Sequence, residues 1–244
     1  MHLSIIVPAY NEEKRLPKTL REIYAYLRTQ PYTSEIIVVS DGSKDKTVEV
    51  AESMIKEIPA LKVIGNKENR GKGYVVKTGM LNAIGDYRIF TDADNSTSID
   101  HIGKLLPELE RGVPVVIGTR DSRDDKDAKQ AHSQPFYRRF IGDIFNLMVQ
   151  FILGLWGIWD TQCGFKGMSK EAAETIFNKC LIDRFAFDPE IIVIARKAGY
   201  PIKKVPVYWI NDPDSRVKPK HMIEMAKDLM KIRINLMTGK YGAK

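Results

Sequence analysis

The sequence predicts an α/β protein in which a mostly parallel central sheet is flanked by helices, with amphipathic helices added in its second half. Three observations carry that expectation. Short apolar runs rich in β-formers alternate with stretches of helical periodicity from the first residues onward. Polar clusters follow those runs at their carboxyl ends, where open α/β sheets hold ligands. With 244 residues and 43% hydrophobic content, the chain can also bury one large core.

Residues 3–7 (LSIIV) form a first expected strand, ended by Pro8. Ala9, Tyr10, Asn11, Glu12 and Glu13 lead into a helix with Leu16, Leu20, Ile23, Tyr24 and Leu27 at helical spacing. A second strand, 35–39, ends in a Ser40-Asp41-Gly42-Ser43 turn. Ser43 is the expected N-cap of a helix over 44–58 whose face is Val48, Ala51, Met54 and Ile55. A third strand covers 61–64, Gly71 opens a helix to Ile84, and a fourth strand over 87–90 delivers Asp92, Ala93, Asp94 and Asn95. Two carboxylates one residue apart at the end of a buried strand are unfavourable without a cation. Two readings fit them: a hard divalent ion shared with a phosphate, or a solvated Asx turn before a helix at Ser98.

A further strand over 113–118 ends in Gly118, Thr119 and Arg120. The charged stretch 121–134 lacks apolar periodicity and is expected to be a mobile loop or lid. A helix over 136–155 carries Phe136, Phe140, Ile144, Leu147, Met148, Phe151, Ile152 and Leu155. Such a stripe suits a core, but Arg138 and Arg139 before a Phe-rich face also suit a membrane interface. The last expected helix, 219–238, presents Met222, Met225, Ala226, Leu229, Ile232 and Leu236, with Lys227 and Lys231 elsewhere on the wheel. It is read as a second interface helix beside the first.

The formal net charge is +7, and residues 201–244 hold ten Lys or Arg against four acids, so that stretch carries +6 of it. A basic segment of this kind points to an anionic partner. Its cations accompany an apolar helix face instead of an aromatic stacking platform, which favours lipid and argues against nucleic acid. Cys163 and Cys180 lack metal-ligand spacing and suggest a reducing compartment. The start, Met1 to Ser4, is expected to enter a strand without a basic and apolar leader. No stretch reaches the ~20 apolar residues of a membrane span. No Gly-x-Gly-x-x-Gly follows the first strand, which excludes a dinucleotide oxidoreductase. GNKENRGKG over 65–73 has neither P-loop spacing nor its Ser/Thr. Asp92-x-Asp94-x-Ser96 lies too late for a haloacid-dehalogenase nucleophile loop, and Asn11-Glu12-Glu13 is too acidic for a nucleotidylyltransferase.

Four pieces in order, Val7-Pro8-Ala9-Tyr10-Asn11-Glu12, Asp41-Gly42-Ser43-Lys44-Asp45, Asn69-Arg70-Gly71-Lys72-Gly73 and Asp92-Ala93-Asp94, resemble family 2 glycosyltransferases of the GT-A fold. The resemblance implies a nucleotide-sugar site from Pro8, Tyr10, Glu12, Asp41, Asn69, Lys72 and Asp92, with Asp92 and Asp94 holding Mg²⁺ or Mn²⁺. Asp41 suits the ring N–H donors of uracil or guanine, and Lys72 in a Gly-flanked turn at a helix start suits phosphate.

The second half continues with Asp160-Thr161-Gln162-Cys163-Gly164-Phe165-Lys166, Phe187-Asp188-Pro189-Glu190, Val205-Pro206-Val207-Tyr208-Trp209 and Asp214-Ser215-Arg216-Val217. This order is similar to the dolichyl-phosphate β-glucosyltransferase branch and to the related dolichol-phosphate mannose synthases. It implies inverting transfer of a hexose from a nucleotide sugar, UDP-glucose first and GDP-mannose as the alternative, to a polyprenyl (dolichyl) phosphate. Another family 2 transferase acting on a polysaccharide is the further alternative. The implied catalytic set is Asp92, Asp94, Arg120 and Asp160. An ionised phosphate needs no strong base, so Asp160 is expected to position, with Asp188 or Glu190 next in line as base. Arg120, Arg138, Arg139, Ser215 and Arg216 are the expected grip on the acceptor phosphate.

There are departures. The eukaryotic glucosyl enzymes carry an N-terminal membrane helix that is not expected here. Arg216 stands where that branch has Lys, and Ser96 stands where mannose synthases have a Gln ligand. The expected organisation is a catalytic domain over 1–210, with a nucleotide-sugar half (1–120) and an acceptor half (121–210), and a C-terminal acceptor loop and helix over 211–244. The expected setting is cytoplasmic, peripheral on the cytosolic membrane face, with a homo-oligomer or membrane partner protein possible.

Overall fold

The computed structural model describes residues 1–130, 136–210 and 219–242. In chain order the strands are β1 (Leu3–Ala9), β2 (Ser34–Ser40), β3 (Leu61–Gly65), β4 (Tyr87–Phe90), β5 (Val115–Thr119), β6 (Lys129–Gln130), β7 (Lys166–Ser169), β8 (Ile202–Pro206) and β9 (Tyr208–Trp209). The helices are α1 (Leu16–Arg28), α2 (Thr47–Ser53), α3 (Lys72–Asn82), α4 (Ile102–Glu110), α5 (Phe136–Leu153), α6 (Lys170–Lys179), α7 (Phe187–Lys197) and α8 (Pro219–Met237). Seven strands form one sheet in the order β3-β2-β1-β4-β7-β5-β8, and β6 pairs with β9 in a small separate ribbon. Within the main sheet only β7 runs against its neighbours, β4 and β5. The mostly parallel sheet flanked by helices is therefore as expected, with one reversed strand inserted near its middle.

Both faces of the sheet are covered, which is why its strands read as near-continuous apolar runs. Ile6, Ile37, Val39, Phe90, Ile117 and Met168 face a core shared with α3, α5, α6, α7 and α8. Leu3, Ile5, Val7, Ile36, Val38, Ile89 and Val116 face the opposite core under α1, α2 and α4. The alternation along β1 is the period-two pleat expressed as burial.

Several boundaries differ from expectation for identifiable reasons. β1 passes through Pro8 to Ala9. The Ile6 carbonyl accepts from Thr91 N on the β4 side, so Pro8, two residues on, points the same way. The β4 pairing ends at Ile6–Phe90, and the missing N–H of Pro8 costs no ladder bond. The helix expected over 44–58 starts only at Thr47 and gives way to a short 3₁₀ turn, Met54–Lys56. Ser43 does not cap it: its hydroxyl accepts from Asn11 N and bonds the Ser40 hydroxyl, while Asp45 takes Thr47 N.

The stretch 121–134 is also not a free loop over its described part. Asp124, with its side chain fully buried, accepts from Trp159 N, Asp160 N, the Thr119 hydroxyl and Lys204. β6 then ties the stretch to β9.

The two amphipathic helices pack differently from their expected stripes. In α5, Phe145, Val149 and Leu153 enter the core, whereas Ile144, Leu147 and Phe151 are exposed, Phe151 by 71%. In α8, the stripe expected at a membrane is mostly core: Met225, Leu229 and Ile232 are buried beside α5. A second apolar set, Ile223, Met230, Ile234 and Met237, lies exposed instead. Tyr241 is buried and donates to the Glu190 carboxylate, so residues 219–242 pack into the main core.

Candidate active site

The polar clusters converge on the rim formed by the carboxyl ends of β1, β2, β4 and β5. At the end of β1, Asn11 takes a left-handed backbone (φ 52°), a conformation Asn tolerates. Its side-chain Oδ1 accepts from Lys44 N. Glu12 N donates to the Thr47 hydroxyl, and the Glu12 carboxylate pairs with Arg15 at 2.7 and 2.9 Å. Glu12 thus clamps the entry of α1 to α2. Pro8 is buried and Tyr10 half-buried at the same rim.

Asp41, buried after β2, accepts from Arg70 N (2.8 Å) and Gly71 N (2.9 Å), and Asn69 Nδ2 reaches the Asp41 carbonyl. The β2 turn and the 69–71 loop are locked together by this carboxylate. Gly42 permits the approach: a Cβ there would stand 2.7 Å from Asn69 N. The start of α3 is where backbone N–H groups are expected to suit phosphate. Two of them are engaged within the protein, Gly71 N by Asp41 and Tyr74 N by the Asp183 carbonyl.

Lys72 begins α3 and places Nζ 2.5 Å from Asp92 Oδ1. Burial works against its charge, but Asp92 and Asp188 prevail and lift its pKa to about 12. Asp94 accepts from Ser96 N at 2.9 Å. Burial and then the neighbouring Asp92 push its pKa above the ordinary carboxylate range. The loop between them is fixed by the Thr19 hydroxyl on the Ala93 carbonyl and by Asn95, left-handed at φ 53°, bonded to Glu22.

On the other side of the rim, Arg120 grips Asp160 through Nε and Nη2, each at 2.8 Å, and its backbone N–H adds a third bond. Burial opposes the Asp160 charge, yet Arg120 holds that carboxyl below its usual range. A carboxylate so held is a poor proton acceptor. Arg120 also lies 5.3 Å from the centre of the Trp209 ring. Between these groups runs 160–166, ending in Lys166, which is fully buried and bonded to the Cys163 carbonyl (2.5 Å) and to Asp188. Glu190 accepts from Leu181 N, Ile182 N and Tyr241, which engages its carboxylate in the core.

The structure therefore brings together Lys72, Asp92, Asp94, Arg120 and Asp160, with Asp41 and Asn69 alongside Lys72. The side chains of Arg138 and Arg139, and residues Ser215 and Arg216, lie outside the described residues. Among the described residues, no three His, Cys, Asp or Glu side chains group to enclose a metal. Asp92 and Asp94 fit a hard divalent ion completed by a ligand's phosphate oxygens. They are paired carboxylates, one of which carries charge that its protein surroundings resist.

The profile of glycosyl transferase family 2 matches residues 4–177. The chain belongs to that family. This family 2 chain is 39% identical over 244 residues to a dolichyl-phosphate beta-glucosyltransferase of Trichomonas vaginalis, covering 96% of the chain and 73% of the relative. It is 35% identical over 248 residues to the Homo sapiens protein of the same name, covering 97% and 76%. Among solved structures, a mannosyltransferase from Pyrobaculum calidifontis in complex with GDP-Man and Mn²⁺ superposes with TM-score 0.61 at 19% identity, over 97% of this chain and 64% of that one. Glucosyl-3-phosphoglycerate synthase from Mycobacterium tuberculosis, in complex with Mn²⁺, UDP and phosphoglyceric acid, gives 0.68 at 14% identity, over 100% and 79%. These two likenesses establish the GT-A glycosyltransferase fold for this family 2 chain.

Sequence reasoning singled out Asp160 but passed over Gly164, Lys166 and Trp209 as site residues, although each lies in a quoted motif. A lysine opening a short strand directly after Phe165 was the available signal, because an ammonium there must be buried with a partner.

Proposed function

We propose that this protein transfers a glucosyl group from UDP-glucose to dolichyl phosphate, with inversion at the anomeric carbon. The observation that supports this most is the rim itself. Two carboxylates for a metal and Lys72 stand on one side, the Arg120–Asp160 pair on the other, in a chain whose relatives are named for that reaction.

In the reaction, an oxygen of the lipid phosphate forms a bond to the anomeric carbon while the bond from that carbon to the diphosphate breaks. The electron pair leaves on the nucleoside diphosphate. Asp92 and Asp94 would hold the Mg²⁺ or Mn²⁺ ion, which when bound supplies positive charge against the departing diphosphate. Lys72, kept charged by its neighbours, serves the same diphosphate. Asp41 holds the 69–71 loop against the nucleotide end of the rim. Asp160 keeps Arg120 extended toward the acceptor, and no residue need take a proton because phosphate is already ionised. A donor screen tests the reading: UDP-glucose should give lipid-extractable label with a short polyprenyl phosphate. Label from GDP-mannose alone would overturn the glucosyl assignment.

A membrane surface is the proposed second partner. No helix among the described residues is long and apolar enough to cross a membrane. Exposed Ile144, Leu147 and Phe151 on α5, and Ile223, Met230, Ile234 and Met237 on α8, are accompanied by exposed Lys227, Lys231 and Arg233. Apolar side chains with nearby cations suit an anionic lipid interface. Replacing Phe151, Ile223 and Met237 together with Glu should cut flotation with anionic vesicles by about 10-fold or more, since each buried side chain contributes about 1.5–3 kcal/mol. Unchanged flotation would dismiss these faces.

A further inference from the structure

The stretch 160–166 is fastened at both ends by ion pairs, buried Asp160 to half-buried Arg120 and Lys166 to Asp188, both buried. Its middle leans on the sheet, where the Phe165 carbonyl accepts from Gly118 N at 2.8 Å. Gly118 allows this closeness, because a Cβ there would stand 2.9 Å from that carbonyl and 3.0 Å from Cys163 Sγ. At Gly164 the stretch meets Asp92. The three atoms nearest to a Cβ at Gly164 all belong to the Asp92 carboxyl group, with Cγ at 2.5 Å and Oδ1 at 2.8 Å. One side of Asp92 is thus bounded by Lys72 Nζ and another by the bare backbone of Gly164. Any side chain at 164 would occupy the space the carboxylate now fills.

We infer that 160–166 is a positioning strap for Asp92, in which Gly164 is the bearing surface and the Lys166–Asp188 pair is the anchor. Lys166 is fully buried and Asp188 nearly so, and such a pair holds only if its geometry is kept. Asp188 therefore acts through Lys166 and the strap instead of taking a proton. The metal part of the claim rests on Asp92 being a ligand of the donor's ion.

Gly164→Ala is the informative change. The Gly164 backbone lies outside the left-handed region, so alanine adds no backbone strain, and the obstacle is a side-chain carboxylate free to swing away. The variant should fold, and Mn²⁺ binding in the presence of UDP, read by electron paramagnetic resonance, should weaken about 10–100-fold, the usual cost of disturbing an outer partner of a ligand. Gly142→Ala, at a helical glycine with nothing within 4 Å of a Cβ, is the control and should leave binding unchanged.

Thermal melts without metal supply the second readout. Gly164→Ala should lower Tm in the wild-type background, and most of that loss should vanish when Asp92 is also alanine, because the two changes share one contact. Equal Tm losses in both backgrounds would overturn the strap, as would unaltered Mn²⁺ affinity in Gly164→Ala. Wild-type protein that takes up no Mn²⁺ with UDP or GDP would overturn the metal reading alone. The melts would still decide the Gly164–Asp92 contact.

Discussion

Asp94→Ala should reduce sugar transfer by about three orders of magnitude or more, since a metal's charge stabilisation amounts to several kcal/mol and each 1.36 kcal/mol is tenfold. The fold should survive, because the carboxylate's hydrogen bond is a local one to Ser96 N and the Asp92–Asn95 loop keeps its Thr19 and Glu22 ties. Chelation of divalent ions should bring wild-type protein to the same residual rate and leave the variant unaffected. Label transfer to lipid, with melting curves recorded beside it, checks both statements. An active, chelator-insensitive Asp94→Ala would remove the metal from the rim.

Arg120→Met should strike stability and activity together. Buried Asp160 would keep its bond from the backbone N–H of residue 120 but lose the half-buried cation facing it. Stranding one member of such a pair costs about 3–5 kcal/mol, which lowers Tm by on the order of 10 °C in a chain of this size. The pH dependence follows from the direction of the shift. With Arg120 present, Asp160 titrates below its ordinary range, so its contribution is complete above about pH 4 and fades as pH falls through the lower folded value. Without the Arg120 guanidinium, burial loses its main opponent and that pKa rises, with only the residue-120 N–H and Lys166 still holding it down. The gap between variant and wild type should then be widest near pH 7 and shrink on acidification. Arg120→Met combined with Asp160→Asn should recover most of the stability and none of the transfer. Recovered transfer would make the pair structural only.

Much of this rim was legible from residue order. β1, β2 and β4 announce themselves because strands buried on both faces are uninterrupted apolar runs, and each is followed at once by its polar residues. The Asp92–Asp94 pair stood out for the same reason. Pairings between distant elements were not legible: nothing local links Lys72 to Asp92, Asp41 to the backbone of Arg70 and Gly71, or Lys166 to Asp188. β7 escaped notice because Lys-Gly-Met-Ser is four residues long and contains only one large apolar side chain. The helices α5 and α8 misled in a different way. Both carry apolar residues around more than one side of the wheel, so periodicity alone could not say that Phe145 and Val149, or Met225 and Leu229, take the interior.

The reversed strand has a bearing on how the molecule is made. During synthesis, β1 to β4 can pair as soon as they emerge, but the free edge of β4 must wait for β7, some 75 residues later in the chain. Until then β5 has no neighbour to join it to the growing sheet, since β8 comes later still. A nascent chain that has emerged only as far as residue 120 would therefore display an open, apolar border of the kind chaperones recognise, and the two banks of the rim would first face each other only when the strap arrives.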